Sequence, residues 1–290
     1  MRPIAARGAW ELFVPWLAPR CHYGFEVWSA TAGLVAKTDP YGRRFELRPR
    51  QRAIAVAPSA HRWRDAAFLG ARTAAAATAP LAIYELHLGS FLRRDGRLLR
   101  YSELADRVAE HVARLGFTHV ELLPVTEHPH DDSWGYQPTG CFAPTSRHGS
   151  PNEFRGFVDR LHAAGIGVIL DWVPGHFATD AHALARFDGA PLYEYADRRR
   201  GEHRAWGTLV FDCERPEVRS FLLASARFGI EEFHVDGLRV DAVAAMLYLD
   251  YQRDAGEWLP NGEGGSEHDA AVRFLRPWRR WCASSFPACC

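Results

Sequence analysis

The sequence predicts an α/β chain: about four strand–helix units, reading as part of a (β/α)8 barrel, preceded by part of a β-sandwich. Three observations carry this reading. From Leu81 onward, short apolar runs alternate with amphipathic stretches, the pattern of parallel strands covered by helices. Long loops rich in polar and aromatic residues follow the second and third of these strands, where the functional face of such a barrel lies. No glycine-rich phosphate loop follows the first strand, which weighs against a doubly wound sheet.

Residues 8 to 58 read as short strands broken by turns, among them Trp10 to Val14 and Tyr23 to Trp28, with a turn at Asp39-Pro40-Tyr41-Gly42. These place the partial sandwich in residues 1–70. The Ala- and Thr-rich run from Ala71 to Ala79 reads as a linker that occupies 71–80. Barrel units then occupy 81–276. Ala82 to His87 is the first strand, and Ser102 can cap a helix from Glu103 to Leu115. Thr118 to Leu123 is the second strand, Asn152 to Ala164 the next helix, and Ile166 to Asp171 the third strand. A helix from Pro216 to Phe228 follows, with proline near its first turn. The fourth strand runs from Phe233 to Val240.

Composition excludes several function classes. The 290 residues are 47% hydrophobic with a formal net charge of zero, so no global field draws the chain to nucleic acid or to an anionic membrane. No apolar run approaches the ~20 residues of a membrane span, and the N-terminus lacks the apolar core of a signal peptide. A cytoplasmic location is the expectation. None of the six cysteines shows a paired C-x-x-C spacing, so neither a metal site nor a redox dithiol is expected.

Three constellations lie at or just beyond strand ends. The fourth strand closes with Arg239 and Asp241. Strand alternation puts Val235, Gly237, Arg239 and Asp241 on one side, and a guanidinium beside a carboxylate keeps it ionised, as a nucleophile requires. In Ser133-Trp134-Gly135-Tyr136-Gln137-Pro138 the rings of Trp134 and Tyr136 can stack on a sugar or simply pack the loop down. In Asp171-Trp172-Val173-Pro174-Gly175-His176-Phe177, Asp171 can bind hydroxyls or orient Arg239, and His176 can donate a hydrogen bond.

Taken in order, these pieces resemble the α-amylase clan of glycoside hydrolases and, within it, the 1,4-α-glucan (glycogen) branching enzymes. The resemblance rests on Tyr84 to Phe91, Glu121 to Pro129, Trp134 to Gln137, Asp171 to Phe177, Trp206-Gly207-Thr208, Asp236 to Val243 and Met246 to Tyr251, covering roughly residues 8 to 276. It implies that Asp241 is the nucleophile of a retaining double displacement and that Arg239 holds it charged. It implies Tyr136, Asp171 and His176 at the cleavage subsite, with Trp134 and Gln137 as further sugar contacts. It implies α-1,4-glucan or glycogen as partner, no cofactor, and a carbohydrate-associated role for the sandwich. A trehalose-releasing or debranching relative is the alternative within the clan, and Gln137, where such relatives usually carry Asp or Asn, speaks against it. A non-catalytic glucan-binding protein is the alternative outside enzymology.

Retaining chemistry uses two carboxyl groups about 5–5.5 Å apart. The clan's acid is a Glu at the end of a fifth strand, which this chain does not reach. Glu121, Glu127, Asp131, Asp132, Glu257, Glu263 and Glu267 do not match its position. The family-like pattern gives way at Pro277 to a Trp- and Cys-rich tail, 277–290. The expectation is a chain truncated at both ends, with a shifted reading frame in the tail and an inactive product. An open half-barrel also exposes two apolar edge strands, which predicts poor solubility.

Overall fold

The structure is a computed structural model that describes residues 1–4, 9–75 and 80–276. Its centre is a four-stranded parallel sheet of β1 (Ile83–Leu86), β2 (His119–Leu122), β3 (Gly167–Trp172) and β4 (Gly237–Val240). The strands lie in sequence order, each added beside the one before it. No reversal of strand order occurs in this sheet, so it has no switch point of the doubly wound kind.

Four helices accompany the sheet: α1 (Ala66–Ala75), α2 (Tyr101–Leu115), α3 (Pro151–Ala163) and α4 (Pro216–Phe233). In α2, Leu104, Ala105, Val108, Ala109 and Val112 recur at helical spacing and are buried. The helix stops at Gly116, whose φ of 80° gives the left-handed C-terminal turn. Ser150 and Glu153 cap α3 reciprocally, and Phe154, Phe157, Val158 and Leu161 form its buried stripe. Helices α2 and α3 and the end of α4 cover the sheet face that carries Leu86, Val120, Leu122 and Val168. On the opposite face, by strand alternation, stand Glu85, Glu121, Ile169, Asp171 and Arg239. That face is open enough to leave Ile83 41% exposed.

Several boundaries differ from the sequence reading. Helix α2 begins at Tyr101, so Ser102 lies inside it and does not cap it. Glu103 takes that part by accepting the Arg100 backbone N–H at 2.9 Å. Helix α4 continues to Phe233, which the sequence had given to the fourth strand, because Phe233 packs edge-on against Phe154 at 5.0 Å. His234 then turns the chain in the left-handed region (φ 52°) and β4 starts only at Gly237. Val235 therefore does not share a side with Arg239; it is fully buried in the apolar cluster beneath the helices.

The long loop after β2 contains a small antiparallel pair, Thr126–Glu127 with Gly140–Pro144. The loop after β3 contains a three-stranded one, His176–Ala178, Thr208–Val210 and Glu202–His203. Upstream, the strands pair two by two: Arg2–Ile4 with Ala9–Glu11, His22–Tyr23 with Ala53–Ile54, and Phe25–Ser29 with Gly33–Lys37. The turn at Asp39 forms as read, with Gly42 N–H on Asp39 O at 3.0 Å. Lys37, the one lysine of the chain, donates to the carbonyls of Ala181 and Ala185, both at 2.6 Å, and ties this region to the loop after β3.

The alanine-rich segment read as a linker is entered by α1, since alanine has the highest helix propensity. A buried polar network docks this helix. The His162 ring, fully buried, lies between Asp65 Oδ2 at 3.0 Å and Asp236 Oδ2 at 2.9 Å. Arg72 of α1 also binds Asp236, and Phe68 stacks on the His162 ring at 4.3 Å. The tail from Pro277 lies outside the described residues.

Candidate active site

Strands β3 and β4 run in register with Asp171 opposite Arg239. One residue past β4, the Asp241 N–H donates to Trp172 O at 2.9 Å, so the ladder itself fixes where Asp241 begins. Ala242 then leaves the strand in the left-handed region (φ 50°). Arg239 Nη1 donates to both Asp171 oxygens at 3.0 Å and to Asp241 Oδ1 at 2.6 Å. The Tyr136 hydroxyl donates to Asp171 Oδ2 at 2.7 Å. His176 Nε2 stands 3.6 Å from Asp241 Oδ2.

The electrostatics separate the two carboxylates. Burial pushes the Asp171 carboxyl up to about 6, against the opposing pull of Tyr136 and Arg239. Burial also acts on Asp241, but His176 and Arg239 outweigh it and hold that carboxyl below the usual range. Burial, reinforced by the bond to Asp171, raises the Tyr136 phenol, which therefore stays a proton donor. Asp241 is thus a charged oxygen pair with one side chain, Arg239, half-exposed beside it.

An open cleft runs past this cluster, lined by Ser133, Tyr136, Gln137, His176, Trp206, Thr208, Asp241 and Ala242. Tyr136, His176, Gln137 and Asp241 are brought together there, and Asp171 and Arg239 sit directly behind. Trp134 is placed elsewhere. Its ring stacks over His87 at 5.9 Å, while Gln137 donates to Trp206 O at 3.2 Å and so joins two loops.

The sequence reading did not assign site roles to His203, Trp206 and Thr208. Trp206 stacks on His203 at 3.6 Å with the rings 9° apart, and its ring lies 4.9 Å from that of His176, tilted by 52°. Neither nitrogen of His203, nor the Thr208 hydroxyl, nor His176 Nδ1 finds a partner among the described residues, so polar groups converge at this wall of the cleft. The Trp206-Gly207-Thr208 run was the available signal, but no spacing rule tied it to His176, Gln137 or Asp241 far along the chain.

The other acidic candidates have local roles. Glu127 is buried and accepts from Arg147 at 2.7 Å and from the Ser146 N–H at 2.8 Å. Asp131 pairs with Arg147, Glu257 with Arg204, and Glu121 lies opposite Glu85 on the sheet. Among the described residues no group of three His, Cys, Asp or Glu side chains could hold a metal ion, and no helix is long and apolar enough to cross a membrane.

No family model matches the chain. It is 56% identical over 285 residues to the 1,4-alpha-glucan branching enzyme GlgB of Cellvibrio japonicus, which covers 97% of this chain and 39% of that protein. It is 54% identical over 290 residues to the protein of the same name from Methylococcus capsulatus, again 39% of that protein's length. In structure it is similar to a Salmonella typhimurium protein described as an alpha amylase, with a TM-score of 0.66, 24% identity, and coverage of 91% of this chain and 39% of that one. This last likeness shows the fold, an alpha-amylase-like α/β arrangement around the parallel sheet. Identity above one half, sustained along almost the entire chain, makes it a homologue of the 1,4-alpha-glucan branching enzymes, of whose length it spans 39%.

Proposed function

We propose that the cleft is the nucleophile side of a retaining glucan-transfer site, with Asp241 as nucleophile. The observation that carries this is the Arg239 guanidinium, which holds Asp241 charged while anchoring on the buried Asp171. Asp241 Oδ2 attacks the anomeric carbon of an α-1,4-linked glucose, the glycosidic oxygen departs with a proton from an acid, and a glucosyl ester remains. The 6-hydroxyl of a second chain then attacks the same carbon while its proton returns to the carboxyl that acted as acid, the ester bond to Asp241 breaks, and an α-1,6 branch remains. Tyr136 stacks on the reacting glucose, His176 donates to its hydroxyls, and Gln137 and Trp206 flank the neighbouring sugar.

Asp171 does not serve as the acid, because both its oxygens are taken by Arg239 and Tyr136. A separate carboxyl has to supply the proton. That requirement favours, as second reading, a chain that binds glucan without turning it over. The sequential order of β1 to β4 supports half of a (β/α)8 barrel over residues 81–276, with a carbohydrate-associated sandwich segment before residue 71.

The test is incubation of the purified chain with amylose, followed by proton NMR of the α-1,6 anomeric signal. New α-1,6 linkages that vanish in Asp241→Asn support transfer. Amylose binding with no new linkage in either protein supports the binding reading, and linkages undiminished in Asp241→Asn reject Asp241 as nucleophile.

A further inference from the structure

The upstream hairpin, Phe25–Ser29 with Gly33–Lys37, lends no residue to the lining of the cleft, yet it is bonded to the loop that does. The Lys37 ammonium donates at 2.6 Å to Ala181 O and to Ala185 O, and lies 5.9 Å from the centre of the Phe187 ring. Beside it the Thr38 N–H reaches His182 O at 2.7 Å, and the Thr38 hydroxyl reaches the same oxygen at 3.1 Å. At the turn of the hairpin the Thr31 hydroxyl donates to Gly189 O at 3.2 Å. Each of these donors comes from residues 31–38, and each acceptor is a backbone carbonyl of residues 181–189. Gly189 has a φ of 89°, and a Cβ on it would collide with Ser29 Oγ, so the two segments meet directly.

Lys37 is the centre of this contact. It is 5% exposed, and burial draws its amine down, against the opposing pull of Glu194 and Asp188. A buried ammonium is costly unless its donors are used. Ala181 and Ala185 stand about one helical turn apart, so one ammonium serves two carbonyls, which an apolar side chain would leave without that donor.

The contact continues inward to the cleft. Leu184 shares an apolar cluster with Phe177 and Phe211, whose ring centres lie 4.4 Å apart, and Glu194 bridges to Phe211 through the backbone. Phe177 alternates with His176 on the strand His176–Ala178, and Phe211 follows the strand Thr208–Val210. One side of this small sheet is therefore packed with Leu184, while the other presents His176 and Thr208 to the cleft. We propose that Lys37 is a positioning residue of the cleft: through the 181–189 segment and Phe177 it sets how closely His176 approaches Asp241. The proposal stands whether or not Asp241 is a nucleophile.

Lys37→Met keeps the reach of the side chain and removes its donors. Asp241 is faced by His176 and Arg239, with Asp171 and Tyr136 behind, and the variant alters none of these chemically. Carbon-13 NMR of the Asp241 carboxyl in the full chain tests the proposal without any glucan. The expected result is a titration midpoint raised by about half a unit or more in Lys37→Met, as His176 draws away. No further rise is expected when Lys37→Met is added to His176→Ala. Urea unfolding checks that each protein folds. Should Lys37→Met not fold, Thr31→Val combined with Thr38→Val, which removes both hydroxyl donors and keeps the lysine, is read in the same way with the same expected direction. A folded variant with an unmoved midpoint makes Lys37 a structural tie alone and overturns the proposal. A rise of equal size in the His176→Ala background overturns it too, because the coupling would then take another route.

Discussion

Arg239 lies opposite Asp171 across the β3–β4 ladder, and its Nη1 reaches both oxygens of Asp171 at 3.0 Å and Asp241 Oδ1 at 2.6 Å. One nitrogen thus joins a buried carboxylate to the one that faces the cleft. The pairing follows from register: a slip of one residue would turn Arg239 to the other face of the sheet.

Arg239→Ala removes this bridge. Two carboxylates then share the site without their common cation, and the Asp241 titration midpoint is expected to rise by about one unit or more. Carbon-13 NMR of the Asp241 carboxyl measures it; an unmoved midpoint would show that His176 alone sets the charge.

Asp171 makes stability depend on pH. Folded, it keeps its proton up to about 6, whereas an unfolded Asp loses it near ~4. The native state binds more protons between those values, so this group's contribution to stability falls as pH rises through that window and is level above it, by about 1–3 kcal/mol in all. Asp241, held below its ordinary value, acts oppositely: its contribution is present above ~4 and is lost as pH falls through the lowered value. Urea unfolding from pH 4 to 7 should show the Asp171 slope in the parent and lose it in Asp171→Asn.

Gly135 sets the position of Tyr136. Its φ is 94°, and a Cβ there would collide with the Pro124 carbonyl oxygen. Gly135→Ala is therefore expected to cost about 1–3 kcal/mol and to draw the Tyr136 hydroxyl off Asp171. Amylose affinity and thermal unfolding, measured together, separate the two effects.

His162→Ala leaves Asp65 and Asp236 buried without the ring between them. A loss of about 3–5 kcal/mol is expected, seen as a lower urea midpoint and as faster proteolysis within α1. Substitution at the exposed pair Arg227–Glu231 should change stability by less than ~1 kcal/mol.

Strand β1 is an edge of the sheet, and Ile83 on it is 41% exposed. Self-association through this edge is expected at raised concentration. Ile83→Lys should lower light scattering at matched concentration; equal scattering would move the cause to another surface.

The strand–helix order was legible in the sequence because it depends on neighbours a few positions apart, whereas the Ser150–Glu153 cap of α3 came only with the structure. Alternation and 3.6-residue periodicity are written locally. The end of α4 was not, since Phe233 joins the helix through contact with Phe154, far away in sequence. Nor was the cap of α2, where Ser102 gave way to Glu103.

The site divides along the same line. The sequence by itself determined which chemistry is present: the Arg239 and Asp241 pair at a strand end, the Tyr136 loop, and Asp171 and His176 in one motif. The tertiary structure decided which of these groups meet. It set Asp171 behind Arg239, brought Trp206 against His176, and sent Trp134 to His87. Residue types and short spacings are fixed by covalent order, but convergence of groups from separate loops depends on long-range packing and strand register, which no local pattern encodes.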